Sequence, residues 1–324
     1  MDMIPNWPLP SFSIVVEWDN VRQSELERAH AMLRALRTQL SELRSRVPEP
    51  PDVLLLYDRN EVDAEIIRQS VEVFGPPDGL CRLRVVPVEG MHYYELKNAG
   101  AKVSSGEIVV FADSDVIPKP GWLEALLESF ADPRVQVVGG QTYMSLNSLY
   151  SRAFAVFWFF GVRADRSDLV EHRRFAANNV AFRRTVLERF PFPRGELYRG
   201  NCVWLTHTLR EKGIPIFRQY RAEAEHPPPV GVGNFFIRAL WDGYDNVIIA
   251  KRHQPFTWWR VGALYYNSMR NMIRRLYRDH DRAGLPLAGS VAAFAIGTVY
   301  ETVKLLGASI TRINPRLLRR WLPS

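Results

Sequence analysis

Ile108-Val109-Val110-Phe111-Ala112-Asp113-Ser114-Asp115 is an apolar run that delivers two carboxylates one residue apart. A short apolar run of this kind, ending in turn-forming residues, reads as a buried strand. Alternation along an extended chain points residues 113 and 115 to the same side. Both carboxylates can then reach one hard cation, which prefers oxygen ligands and has phosphate as its usual companion. Asp-Ser-Asp is equally ordinary turn chemistry, in which short polar side chains bond nearby amides. Gly106-Glu107 leads into the run, and Val116 to Leu123 leads out toward the amphipathic set Leu123, Leu126, Leu127 and Phe130.

Toward the N-terminus the same grammar repeats. Phe12 to Trp18 is a β-branched run expected as strand one, and Asp19-Asn20 can cap the helix after it. Leu26, Ala29, Leu33, Leu36, Leu40 and Leu43 recur at helical spacing up to the break at Pro48-Glu49-Pro50-Pro51. Val53 to Tyr57 reads as strand two, ending in Asp58; Val62 to Phe74 reads as a helix and Arg82 to Val88 as strand three. Strands alternating with helices predict an α/β fold with a doubly wound, mainly parallel sheet whose ligands sit beyond the carboxyl ends of the strands. Glu17, Trp18, Asp58 and Asp115 fall at such ends.

The chain has 324 residues, 47% of them hydrophobic, which suits one catalytic domain with an appendage. The division expected is a catalytic domain over residues 1–232 and a helical region over 233–324. Cys81 and Cys202 are too few for a disulfide framework, and Met1-Asp2-Met3-Ile4-Pro5 lacks the basic and apolar regions of a signal peptide. The expected location is therefore the cytosol or the cytoplasmic face of a membrane. From Lys251 to Ser324 there are 13 Lys or Arg against 3 Asp or Glu, a net +10, so the first 250 residues carry −3 of the total +7. The main domain thus has no basic surplus to track phosphates, and nucleic-acid binding is not expected.

The stretch around Asp113-Ser114-Asp115 resembles the metal-binding strand of family two inverting glycosyltransferases, which have the GT-A fold of the nucleotide-diphospho-sugar transferases. The resemblance covers roughly residues 11 to 230. It implies a Mg²⁺ or Mn²⁺ held by Asp115, with Asp113 toward the ribose or metal, and a nucleotide-diphosphate sugar donor, most commonly a uridine one among similar proteins. Lys97-Asn98-Ala99-Gly100 is similar to the family's basic-Asn-x-Gly helix near the diphosphate; Lys97 is the favoured countercharge and Lys102 is open. Glu17 and Trp18 stand where the family meets the base, Trp18 as a stacking platform or as core or hinge packing. Asp58 stands where the family contacts base or ribose, or else caps the next helix, and Ser114 lies between the two acids on the donor side. Gly139 and Gly140, in the strand Val135 to Gln141, and Asn178 and Asn179, in Phe175 to Arg184, fall on the implied acceptor side. His226, just before Pro227-Pro228-Pro229, corresponds to a histidine near metal and diphosphate.

One departure from the family pattern concerns the base. Most relatives have Gly-Glu-Asp before an apolar helix, and that Asp deprotonates the acceptor hydroxyl. Here Gly200-Asn201-Cys202 takes its place. Glu196, a few residues upstream, is the first candidate for the proton acceptor, and Cys202 is the second.

Phe154 to Val162 is conspicuously aromatic and reads as core, sugar-stacking wall or membrane contact. Farther on, Tyr265, Tyr266, Met269, Met272, Ile273, Leu276 and Tyr277 share one helical face, with Arg270, Arg274, Arg275 and Arg278 on another. Such a helix suits an anionic membrane surface. Ala283 to Tyr300 adds 18 uncharged residues, just short of a usual span. The acceptor implied is a glycan or a lipid-linked one. Two other classes compete: a binding protein on the same fold without turnover, favoured by the absent Glu-Asp pair, and a nucleotidyltransferase, disfavoured because no glycine-rich triphosphate loop comes after strand one.

Overall fold

The computed structural model describes residues 8–22, 24–195, 197–253 and 257–322, and Glu196 lies outside them. The chain divides into two compact units. The first holds residues up to 142, 164–194 and 205–225; the second holds 143–163, 195–204 and the chain from 226 onward.

The first unit is built on a mixed sheet in the order β3-β2-β1-β4-β8-β6-β9-β5, with β7 pairing β9. Strands β1 (Phe12–Glu17), β2 (Asp52–Asp58), β3 (Arg82–Val88) and β4 (Ile108–Asp113) run parallel, as expected. Beyond β4 the sheet turns antiparallel. β8 (Asn179–Arg183) pairs antiparallel with β4 and with β6 (Val137–Met144), while β9 (Ile216–His226) pairs antiparallel with β5 (Ile117–Pro118) and β7 (Leu169–His172). The parallel pairing expected for most of the sheet belongs to its first four strands, β1 to β4.

Every residue of β1 and β4 is buried, which is why Ile14 to Val16 and Ile108 to Ala112 read as continuous apolar runs. Helix α1 (Leu26–Leu43) buries Ala29, Met32, Leu33, Leu36, Leu40 and Leu43 in the core that also takes Val16, Val53 and Val110. Each such side chain contributes roughly 1.5–3 kcal/mol relative to leaving it in water. Helix α2 (Ala64–Phe74) begins at Asp63, whose carboxylate accepts from the Glu65 amide, so Asp63 and not Asp58 is its cap. Helix α3 (Tyr93–Val103) precedes β4, and α4 (Trp122–Glu128) comes after β5. α6 (Arg184–Arg189) comes straight after β8. α7 (Asn201–Glu211) starts in the second unit and ends in the first.

The second unit is helical. It comprises α5 (Leu149–Phe157), α8 (Gly231–His253), α9 (Trp258–Asp279), α10 (Leu287–Ile313) and α11 (Pro315–Trp321). α8 and α10 approach closely because glycines face each other's backbone. A Cβ on Gly243 would stand 2.1 Å from the Lys304 carbonyl oxygen, and one on Gly307 would stand 2.3 Å from that of Leu240. Of the aromatic run, Phe154 is core in this unit, packing against Tyr150, Phe157, Trp158, Phe235 and Tyr300, while Phe159 is exposed. α9 departs from its expected pattern. Met272 is buried, yet Tyr266, Ile273 and Tyr277 are exposed, and Arg275 turns inward to donate to the carbonyls of Ala155 and Trp158 at the end of α5. Burial holds its guanidinium down at about 10.

α10 is the one described helix long and apolar enough, by length and composition, to cross a membrane. Its outward row, Leu287, Val291, Phe294, Val299, Leu306 and Ile313, is exposed and uncharged. Gly243→Val should lower the unfolding free energy by about 1–3 kcal/mol, the usual cost of overpacking a tight contact. Urea unfolding followed by circular dichroism measures it; an unchanged midpoint would show that α8 and α10 do not pack through this glycine.

Candidate active site

The strand end at Asp113 is where the acidic pair sits, and the geometry divides the labour between its two members. β4 stops at Asp113, and residues 114 and 115 turn, with the Val116 amide donating to the Asp113 carbonyl at 3.2 Å. The carboxylates still converge. The Asn20 side-chain amide donates to Asp113 Oδ2 at 3.2 Å and to Asp115 Oδ1 at 3.4 Å. Convergence thus comes from the turn and from Asn20, not from strand alternation.

Asp113 is spoken for. Its Oδ1 lies 2.6 Å from Lys97 Nζ, and its Oδ2 accepts from the Tyr93 hydroxyl at 2.6 Å as well as from Asn20. Three of roughly four acceptor positions on the carboxylate are used. Lys97 is fully buried, with its ammonium 4.6 Å from the Tyr93 ring centroid and 5.6 Å from that of Phe111. The expectation that Lys97 meets a diphosphate is corrected here: its charge is consumed by Asp113, and the pair anchors α3 to β4. Lys102 is exposed on the same helix.

The rest of the basic-Asn-x-Gly segment is likewise a brace. Asn98 donates to the Phe192 carbonyl at 2.8 Å and accepts from the Phe192 amide at 3.0 Å, which ties α3 to the backbone after α6. Gly100 lets α3 lie against the sheet, since a Cβ there would stand 2.4 Å from Val15. Of the two readings of Trp18, core packing is the one the structure has: its ring is fully buried in the core and offers no face to a base. Glu17 turns inward to accept from the amides of Asp19 and Asn20 at 2.9 and 3.3 Å, fixing the turn that carries Asn20. Asp58 accepts from the amides of Asn60 and Met91 at 2.9 and 3.0 Å, tying the β2 and β3 exits together.

On the implied acceptor side, Asn179 is fully buried, accepting from Trp122 Nε1 at 2.7 Å and donating to the Ala222 carbonyl at 3.2 Å. Gly140 exists for it, because a Cβ there would stand 2.3 Å from Asn179 Oδ1. Gly139 faces Phe175 in the same way, at 3.1 Å. These three hold the sheet together and are not poised toward a ligand. Asn178 is buried with one bond, from the Thr142 hydroxyl at 3.2 Å.

Two groups outside any sequence motif complete the strand end, and both escape a reading of the sequence. Asn20 bridges the acids, and Arg28 donates from Nε to the Asp115 carbonyl at 2.6 Å and from Nη2 to the Glu225 carbonyl at 2.7 Å. Burial lowers the Arg28 pKa against the opposing pull of Asp115 and Glu225. An arginine in the first turn of α1, where the helix dipole disfavours a cation, was the available signal.

Among the described residues no three His, Cys, Asp or Glu side chains group as a metal cage. The Asp115 carboxylate, 8% exposed, lies at the strand end beside Ser114, whose buried Oγ has no partner among the described residues. Oxygen donors of this kind suit a hard cation that completes its shell with phosphate and water. His226 lies in the second unit, its ring against Phe160 at 4.7 Å and Trp158 at 5.5 Å, with Nδ1 2.5 Å from the Pro227 carbonyl oxygen.

The loop before α7 is held by a residue of α8. Asp245 accepts from the amides of Tyr198 and Arg199, each at 2.8 Å, and the Tyr198 ring stacks on Trp241 at 4.9 Å. Burial pushes the Asp245 carboxyl up to about 6, with the two amide bonds pulling the other way. Cys202 stands half-buried in the first turn of α7.

Comparison with known proteins agrees with this architecture. The model of the family described as Glycosyl transferase family 2 matches residues 76–190. A glucosyl-dolichyl phosphate glucuronosyltransferase of Haloferax volcanii is 24% identical over 143 residues, 43% of this chain and 44% of the relative. A pre-mycofactocin glycosyltransferase of Mycobacterium tuberculosis is 48% identical over 42 residues, 13% of this chain and 9% of the relative. The chain thus spans less than half the length of these curated relatives. The fold is shared with the mannosyltransferase PcManGT of Pyrobaculum calidifontis, solved with GDP-Man and Mn²⁺, at TM-score 0.60 and 16% identity over 97% of this chain and 90% of that one.

Two variants test the geometry. Lys97→Met should cost about 3–5 kcal/mol of stability by stranding a buried carboxylate, and adding Asp113→Asn should restore part of it; a double variant no more stable than the single one would deny the pairing. Asp245 has a folded value near 6 against 3.8 for an ordinary aspartate, so its protonated form favours the fold. That contribution, about 3 kcal/mol, is full below pH 4 and lost as pH rises through about 6. Asp245→Asn should flatten the stability profile across that window, measured by urea unfolding from pH 4 to 7.

Proposed function

We propose, on the premise that this chain belongs to the family 2 glycosyl transferases and has the GT-A fold, that it moves a sugar from a nucleotide-diphosphate donor to an acceptor hydroxyl with inversion. The observation that carries the reading is the strand end of β4, where Asp113, paired with Lys97 and bonded by Tyr93 and Asn20, converges with Asp115 on the Asn20 side chain. A Mg²⁺ or Mn²⁺ there would be held by Asp115, and when bound it supplies positive charge against the leaving diphosphate. Ser114 Oγ is a second oxygen at the same point. Asn20 and Arg28 keep the Asp115 turn in place through its side chain and its carbonyl.

The acceptor proton goes to Glu196, the carboxylate of the Arg194 to Cys202 segment, with Cys202 the alternative. The donor nucleotide is uridine or guanosine diphosphate; the second is what the PcManGT structure holds. The acceptor is a lipid-linked sugar, a reading supported by the name of the Haloferax relative and by the uncharged outward row of α10. Exposed Trp258, Trp259, Tyr266 and Tyr277 beside the arginines of α9 suit the headgroup layer on the cytoplasmic face of an anionic membrane. In this reading residues 1–232 are the catalytic part and 233–324 the membrane-associated part.

The test is a panel of UDP- and GDP-sugars scored by thermal stabilisation with Mn²⁺, with Mg²⁺ and with EDTA. One donor should raise the melting temperature only with metal, and Asp115→Ala should abolish the rise. With that donor and a polyprenyl-phosphate sugar acceptor, Glu196→Gln should lower kcat about 10²–10⁴-fold while Cys202→Ser leaves it near wild type. Metal-independent stabilisation, or full turnover by Asp115→Ala, would overturn the proposal.

A further inference from the structure

At the end of the sheet opposite Asp115, the first unit has an open cleft of about 430 Å³, within the size range of small-ligand sites. It is lined by the end of β7 at Glu171 and His172, by Arg173, by Arg210 in the last turn of α7, and by the turn at Gly213 to Ile216 that enters β9. Register fixes the place: His172 pairs with Ile216 and Val170 with Arg218, at the start of β9. Glu225, which pairs with Ile117 just past the acidic turn, is nine residues farther along the same strand, about 30 Å away. The cleft is therefore no part of the donor site.

Its charge is lopsided. Arg173 and Arg210 line it, and Arg174 and Arg218 flank His172 closely enough for both to press on its charge. Among the described residues none of these four arginines has a carboxylate within 4.0 Å, although arginines elsewhere, such as Arg46 and Arg82, are paired in this way. Arg218 is half-buried on β9, and its Nε has no hydrogen-bond partner there. Burial and the neighbouring cations Arg218 and Arg174 lower the His172 pKa, and burial with Arg174 does the same to Arg218. Opposing this are Glu171 and the partial negative charge at the end of α7, together less than four guanidinium groups.

We propose that this cleft is a second ligand site, taking a small phosphate-bearing anion. Two exposed arginines in a preformed hollow can grip phosphate oxygens in forked pairs, and the anion relieves the mutual repulsion of the cluster. Occupancy would also join β7, an edge strand held by β9, to the end of α7, so the site stiffens this end of the sheet without touching the chemistry.

The experiment uses the full chain in EDTA, so that no metal-assisted binding at Asp115 contributes, with inorganic phosphate and pyrophosphate as probes in isothermal titration calorimetry. Saturable binding is expected for at least one probe, weakened ten-fold or more in Arg173→Ala/Arg210→Ala and further in Arg173→Glu/Arg210→Ala, and unchanged in Asp115→Asn. Both arginines are exposed, and an unchanged melting temperature of the variants confirms that folding is intact. As an independent readout, the proton-NMR titration of the His172 ring should move to higher pH when the probe is present. No saturable binding, binding indifferent to Arg173 and Arg210, or binding lost in Asp115→Asn would each overturn the proposal. The last result would place the anion at the donor site, while failure of the donor panel would leave this site standing.

Discussion

A lysine ammonium and an aspartate carboxylate held 2.6 Å apart, out of contact with water, organise the donor end of this sheet. Either charge alone at that depth would cost several kcal/mol, so each makes the other obligatory. Because Lys97 rides on α3 and Asp113 closes β4, the pair sets where the helix sits on the strand. Tyr93, one turn earlier on α3, adds its hydroxyl to the same carboxylate, and Asn98, one residue later, grips the Phe192 backbone. Phe192 in turn packs with Tyr94, Phe111, Phe175 and Phe182. One ion pair is thus continuous with an aromatic layer beneath the sheet, and Asp115 owes its position to a neighbour that is itself immobile.

The parallel half of the sheet was legible because its central strands are buried on both faces and cannot conceal their pattern. Ile14 to Val16 and Ile108 to Ala112 are continuously apolar, and the leucines of α1 keep helical spacing throughout. The antiparallel half was less so. Whether β8 runs with or against β4 depends on a pairing between residues some seventy positions apart, about which local composition is silent.

The site was legible as a place and misread as a set of roles. Asp113-Ser114-Asp115 marked the right strand end, but a sequence cannot say that the lysine 16 residues upstream spends its charge on the first acid. Asn98, Asn179 and Trp18 were read outward for the same reason: polar and aromatic groups look available until a buried backbone claims them. Asp245 was invisible altogether, since it reaches its loop from 46 and 47 residues away on a helix with no motif of its own. Arg275, grouped by spacing with three other arginines, has left them to cap α5.

α10 carries its outward row of Leu287, Val291, Phe294, Val299, Leu306 and Ile313 along 27 residues, a ridge of about 40 Å. In plain buffer the cheapest cover for such a ridge is another copy of itself. Purified material kept without detergent will gather into assemblies that grow with concentration, and because the ridge holds no charges, dilution or a mild surfactant will disperse them where added salt will not.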